Sequence, residues 1–181
     1  MIKEILKNIT GRKRVIPFPE GFNISPEEAA KVTSLHEMID SIFSRSLRIR
    51  QVDAGSCNAC EWECTALNNP IYDIQRFGID FVASPRHADV LLVTGPVSRQ
   101  MELALKKTYI ATPEPRLVIA CGDCTIDGGI YKGSYAVTNG VANVIPVDCY
   151  IPGCPPTPVK IIMGIYQFIN RLTQKKTSAL R

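Results

Sequence analysis

The sequence predicts an α/β chain in which a parallel sheet is covered by helices on both faces. Three observations carry that prediction. The short runs IDFVAS (79–84), DVLLVTG (89–95), RLVIACG (116–122) and VIPVD (144–148) are nearly continuous in apolar residues, as strands buried on both faces are. Stretches with helical spacing lie between and after them. Six of the seven cysteines fall just past strand candidates, where open parallel sheets gather their functional groups.

The elements follow in order. Residues 1–24 read as an arm, with Ile2, Ile5, Leu6 and Ile9 on one helical face and Lys3, Lys7, Arg12, Lys13 and Arg14 around them. A short basic amphipathic segment of this kind suits a membrane surface or a partner, and equally a terminal helix on the protein's own surface. Ser25-Pro26-Glu27-Glu28 opens a helix: Ser25 caps, Pro26 suits the first turn, and Glu28 occupies the reciprocal capping-box position. Val32, Leu35, Ile39 and Ile42 then recur at helical spacing, and His36 on this helix reads as a surface or partner-facing residue.

LRIRQVD (47–53) alternates like a strand and runs into Ala54-Gly55-Ser56-Cys57. Residues 79–84 and 89–95 are the next strands, and VSRQMELALKKTYI (97–110) is a helix with Val97, Met101, Leu105 and Leu103 inward. RLVIACG and VIPVD complete the sheet. After Pro158 a last helix places Ile162, Ile165, Ile169 and Leu172 on one face and ends in Arg171, Lys175 and Lys176, as the helix dipole favours.

With 181 residues, 45% of them hydrophobic and 21% charged, the chain has the composition of an ordinary globular domain with a substantial core. The longest apolar-rich stretch, Val159 to Ile169, is interrupted by Lys160 and Gln167, whereas a membrane span needs about 20 residues. The opening residues lack the apolar run and cleavage site of a secretory signal. A cytoplasmic location is expected, where thiols stay reduced and spaced cysteine pairs suggest metal rather than disulfides. The net charge of +4 is modest, and no basic run is interleaved with stacking aromatics, so no nucleic-acid partner is expected.

The cysteines then carry the chemistry. Cys57-Asn58-Ala59-Cys60 is a Cys-x-x-Cys turn that directs two sulfurs toward one volume. Cys154 lies in Pro152-Gly153-Cys154-Pro155-Pro156, where proline stiffens the loop and glycine permits a close approach. Gly122, Gly128 and Gly129 near Cys124 would let backbone N–H groups close around inorganic sulfide. Three loops distant in sequence would thus meet at one sheet edge, as a 4Fe–4S cube with four thiolate corners requires. The pairs 57/60 and 121/124 also suit a structural zinc site of four cysteines. Zinc-ribbon pairs are usually about 15–20 residues apart, however, and zinc leaves the Pro-Gly-Cys-Pro-Pro loop without a purpose.

At these residues the sequence resembles the small subunits of membrane-bound, energy-converting nickel–iron hydrogenases, including the formate hydrogenlyase type. Residues 55–63 read GSCNACEWE, against a family pattern Gly-Ser-Cys-x-x-Cys-x-x-Glu. SPRHADVLLVTGPVSRQM (84–101), GDCTIDGGI (122–130) and VDCYIPGCPPTP (147–158) continue it, so that the likeness runs from Val52 to Phe168. The resemblance implies a flavodoxin-like fold and one 4Fe–4S cluster on Cys57, Cys60, Cys124 and Cys154. Cys124 is preferred to Cys121 because the family's ligand directly precedes the segment that ends in Gly128-Gly129. The cluster would be the proximal one, beside a nickel–iron site in a hydrogenase large subunit that interconverts protons and hydrogen. No catalytic residue is then expected in this chain.

The implied partners are that large subunit, a ferredoxin-like iron–sulfur subunit and ion-translocating membrane subunits. The implied location is peripheral, on the inner face of the cell membrane. Larger hydrogenase small subunits carry further clusters in a C-terminal domain. Here no cysteine follows Cys154, so electrons are expected from the separate ferredoxin-like subunit. Residues 1–46 are read as a docking arm and helix, and 47–181 as the cluster-binding domain.

The complex I subunit that carries the terminal 4Fe–4S cluster is similar in Arg76-Phe77-Gly78, Ser84-Pro85-Arg86 and the Pro-Gly-Cys-Pro-Pro loop. Its first two ligands are typically adjacent, whereas Asn58 and Ala59 separate them here. The alternative role is thus the corresponding subunit of a complex I-like oxidoreductase for quinone or another acceptor, without nickel. Cys64, Cys121 and Cys149 read as buried apolar residues, with Cys121 or Cys149 as candidates to border the cluster. Glu63 matches the family's acidic position and is read as an interface carboxylate or a proton relay. Arg76, Arg86 and His87 suit hydrogen bonds near the cluster or pairing across the subunit interface, and Trp62 packing or an interface.

Overall fold

The computed structural model describes residues 26–179. The arm read over 1–24 and the Ser25 cap lie outside the described residues. Five parallel strands form one sheet in the order β2-β1-β3-β4-β5. They are β1 (Leu47–Asp53), β2 (Ile79–Phe81), β3 (Val90–Thr94), β4 (Leu117–Cys121) and β5 (Cys149–Ile151). This 2-1-3-4-5 order is the flavodoxin-like one, with its topological switch between β1 and β3. The helices are α1 (Pro26–Phe43), α2 (Ala59–Ala66), α3 (Arg99–Ala111), the one-turn α4 (Cys124–Asp127) and α5 (Pro158–Ala179).

The unbroken apolar runs of β3 and β4 have a simple cause: both faces of the sheet are buried. Val90, Leu92, Ile119 and Cys121 point to one core, shared with Leu35 and Ile39 of α1, Cys64 and Leu67 at α2, and Ile161, Ile165 and Ile169 of α5. Leu91, Val93, Val118 and Ala120 point to the other, shared with Leu105 of α3, Val97, Val141 and Ile145. Each such side chain contributes about 1.5–3 kcal/mol by leaving water. The second half of α1 therefore belongs to the same core as the sheet.

Two expectations need correction. The last strand is Cys149–Ile151, not residues 144–148. Pro146 has no N–H to give a ladder, and pairing with β4 starts only where Asp148 N–H bonds Val118 O at 2.9 Å and Asp148 Oδ2 accepts Val118 N–H at 2.8 Å. Ile145 is buried all the same, from the turn that precedes the strand. Leu103 does not face inward: it is 62% exposed while Leu105 is fully buried. The inward stripe of α3 runs through Leu105 and Tyr109.

The strand ends are in register. Asp53 pairs with Thr94, Thr94 with Cys121 and Cys121 with Ile151. Four strands thus finish on a single row, and the loops that leave it start level with one another. At the opposite end of the sheet, Asp89 accepts from Arg48 N–H and forms a forked pair with Arg45, at 2.7 and 3.0 Å, fixing the start of β3 against β1.

Ile119→Ala, in the middle of β4, is expected to destabilise the fold by about 2–5 kcal/mol in denaturant unfolding. Leu103→Ala is expected to change it by no more than about 0.5 kcal/mol.

Candidate metal centre

The loop after β1 is shaped by its own side chains. Asp53 Oδ1 accepts from Gly55 N–H at 2.8 Å and Ser56 N–H at 2.9 Å, and Ser56 Oγ accepts from Asn58 N–H at 3.0 Å. Asn58, in the left-handed region at φ 72°, turns the chain into α2. Cys57 is left exposed on the loop and Cys60 half-buried in the first turn of α2. The β3 loop supports this turn from beneath: Ser98 N–H bonds Ala54 O at 2.8 Å, and Ala54 N–H bonds Thr94 O at 3.0 Å.

The loops after β4 and β5 are tied to each other. Gly122 N–H bonds Ile151 O at 2.8 Å, Asp123 N–H bonds Gly153 O at 2.9 Å, and Gly153 N–H returns a 2.8 Å bond to Asp123 Oδ1. These bonds carry Cys124, at the start of α4, alongside Cys154. Two glycines let backbone lie against the thiols. A Cβ on Gly122 would stand 2.7 Å from Cys60 Sγ, and one on Gly129 would stand 3.0 Å from Cys124 Sγ. Both have positive φ, +100° and +52°, where side chains are strained.

The thiols of the three loops interact. Burial pushes Cys60 up to about 12, helped by the negative potentials of Glu61, Cys64, Cys57 and Cys124. Burial also raises Cys124, followed by Cys154 and Cys57, while the Ile130 N–H bonded to its sulfur pulls the other way. Cys60 thus lies within electrostatic reach of Cys57 and Cys124, and Cys124 within reach of Cys57 and Cys154. Raised thiol values mean that a metal group entering between these loops must displace protons.

The remaining cysteines lie inside the fold. Cys121 ends β4 and points into the core beside Cys64, which bonds its thiol and with burial raises it strongly. Cys149 starts β5 and is buried, so burial raises it too. All three behave as small core residues. His36 is exposed, over Gly78, whose Cβ would meet its Nδ1 at 2.7 Å. Arg86 and His87 are exposed in the turn that precedes β3, at the opposite edge of the sheet from the thiols. Arg76 lies over the Phe77 ring at 4.6 Å. Glu63 is half-buried on α2.

The donor set is four thiols on three neighbouring loops. A zinc ion with bonds of about 2.3 Å would need its sulfurs roughly 3.8 Å apart, and among the described residues no three Cys, His, Asp or Glu side chains are placed to share one ion. Four thiolates are also the donor set of a 4Fe–4S cluster. Trp62, Ile126, Ile130 and Tyr135 are exposed on the segments that follow the cysteines.

Glu61 was not singled out from sequence. Its Oε1 accepts a hydrogen bond from the Thr94 hydroxyl at the end of β3, and its Oε2 is shielded from solvent with no hydrogen-bond partner among the described residues. The signal was its spacing: Glu61 lies one helical turn before buried Cys64, on the inner face of α2, whereas Trp62 points out.

Comparison with known proteins gives the family. The model of the family described as NADH ubiquinone oxidoreductase, 20 Kd subunit, matches residues 57–168. The chain belongs to this family. Formate hydrogenlyase subunit 7 of Escherichia coli is 38% identical over 94% of the chain, a match that spans 65% of that protein's length. A probable membrane-bound hydrogenase subunit of Pyrococcus furiosus is 43% identical, over 73% of this chain and 79% of that one. Among solved structures, a chain of the membrane-bound sulfane sulfur reductase, an archaeal respiratory membrane complex, superposes with a TM-score of 0.61. It is 34% identical, over 76% of this chain and 73% of that chain. Members of the family are thus subunits of oxidoreductase complexes. No helix of the described residues is long and apolar enough to cross a membrane.

Gly122→Ala is expected to push the Cys60 thiol aside and lower the metal retained per chain at least several-fold, read by metal analysis after anaerobic purification. Gly133→Ala, where an added Cβ meets nothing within 4 Å though φ is also positive, is expected to leave it unchanged.

Proposed function

We propose that this chain holds one 4Fe–4S cluster on Cys57, Cys60, Cys124 and Cys154. It would serve as the electron-transfer subunit beside a nickel–iron site on a hydrogenase large subunit. The observation that supports the reading is that the three loops leave the level carboxyl edge of the sheet together, with Cys60 under the influence of Cys57 and Cys124, and Cys124 under that of Cys154 and Cys57. When bound, the cluster supplies one-electron transfer between a ferredoxin-like subunit and the large subunit's site, for proton and hydrogen interconversion.

The chain's own residues prepare that role. Gly122 and Gly129 let backbone approach the cysteines, and the Ile130 N–H bonds Cys124 Sγ, where such donors stabilise added negative charge. Cys57 and Cys154, on the exposed side, look toward the partner. Trp62, Ile126, Ile130 and Tyr135, exposed on the segments that follow the cysteines, would suit a protein interface. On this reading the chemistry would belong to the large subunit's site. Membrane subunits would couple the transfer to ion movement, and the chain would lie peripherally on the inner face of the membrane. The basic arm before α1 is proposed as a docking segment for a partner or that surface.

A second reading keeps the cluster and changes the acceptor. The family description names a ubiquinone oxidoreductase, and the superposed structure is a sulfane sulfur reductase at 34% identity. In that case the large subunit would lack nickel.

Anaerobic purification of the intact complex, with subunit identification and metal analysis, tests both. Four irons and four sulfides on this chain are expected, with nickel on the large subunit. Cluster without nickel selects the second reading, and zinc without sulfide removes the cluster proposal. Cys60→Ser and Cys154→Ser are expected to lose the reduced-cluster electron spin resonance signal. Cys121→Ala is expected to keep both the signal and the iron.

A further inference from the structure

Glu61 is the acid in the first turn of α2, next in the chain to Cys60. Surface acids of this protein such as Glu102 and Asp127 pair with lysines at 2.7 Å. Glu61 pairs with no cation among the described residues: it takes a hydrogen bond from fully buried Thr94 and leaves Oε2 shielded and unbonded. A shielded carboxylate oxygen without a donor costs free energy. The fold does not need it for Thr94, whose hydroxyl also lies 3.4 Å from Val52 O. The cost is incurred next to Cys60.

We propose that Glu61 is a positioning residue for the cluster: through Thr94 it holds the helix turn that carries Cys60, and its carboxylate lowers the centre's affinity for an electron. This rests on the assignment of the cluster to the four cysteines. The physical reason is charge. Reduction adds one negative charge to a centre already surrounded by thiolates, and a carboxylate behind a ligand opposes it, more strongly in a shielded site than in water. Glu63, two residues on, is the acid that the sequence pattern marks, but no hydrogen bond ties it to a strand end.

The test is a redox titration of the full chain in its anaerobically purified complex, followed by electron spin resonance, with dithionite as reductant. Glu61→Gln keeps the shape and the acceptor for Thr94 while removing the charge. It is expected to retain iron, sulfide and signal and to shift the reduction equilibrium on the order of tenfold toward the reduced form, about 59 mV for one electron. Glu61→Asp is expected to stay near the unaltered protein. An unshifted midpoint in Glu61→Gln, or an equal shift in Glu61→Asp, overturns the role of the charge while leaving the cluster assignment intact. If Glu61→Gln loses its cluster, Glu61→Ala must retain it and shift in the same direction. Loss there as well, with the unaltered chain loaded, reduces Glu61 to a structural residue. Absence of a cluster in the unaltered chain removes both assignments.

Discussion

The site depends on one constraint, the level finish of four parallel strands. Asp53, Thr94, Cys121 and Ile151 are neighbours across the ladder, so each following loop starts on one line about 14 Å long at the usual strand spacing. Slipping any strand by one residue would also exchange its two buried faces. Both faces of β3 and β4 are filled with large apolar side chains, so the cores that stabilise the sheet also enforce the register that brings the cysteines together.

Above that row, short-range bonds replace sheet pairing. Asp53 folds the first cysteine loop over itself, while Asp123 and Gly153 exchange hydrogen bonds that clamp the second loop to the third. The result is half-buried Cys60 and Cys124 at the back and exposed Cys57 and Cys154 at the front. Burial alone disfavours thiolates at the back. On the proposed reading metal binding would offset it, because coordination replaces the lost hydration of each sulfur. A group held there is insulated by the fold on one side and presented to a partner on the other.

The split between buried and exposed cysteines also separates two kinds of contribution. Cys64, Cys121 and Cys149 fill core volume under α2 and α5, and their proximity to the site follows from sharing elements with the ligand candidates. Glu61 belongs to neither class. It is a polar group built into the apolar side of α2 and tied to a strand end, which is why its influence falls on the centre rather than on solvent.

By itself, the sequence determined the class of fold, the boundaries of β1, β3 and β4 to within about two residues, and the family of the chain. Apolar runs, glycine-flanked cysteines and four ordered motifs are local patterns that leave a direct trace in the chain. To the sequence preference for Cys124 over Cys121 the tertiary structure adds that Cys121 is buried in the core while Cys124, three residues on, is half-buried against Gly129. It also decided that the last strand begins at Cys149 rather than Val144, and that Leu103 looks outward. These outcomes turn on which face of an element meets a neighbour, and on whether an N–H finds a partner 30 residues away, as Asp148 N–H does at Val118 O. The same reason kept Glu61 out of sight: its meaning comes from a hydrogen bond to Thr94, 33 residues away, which no local pattern records.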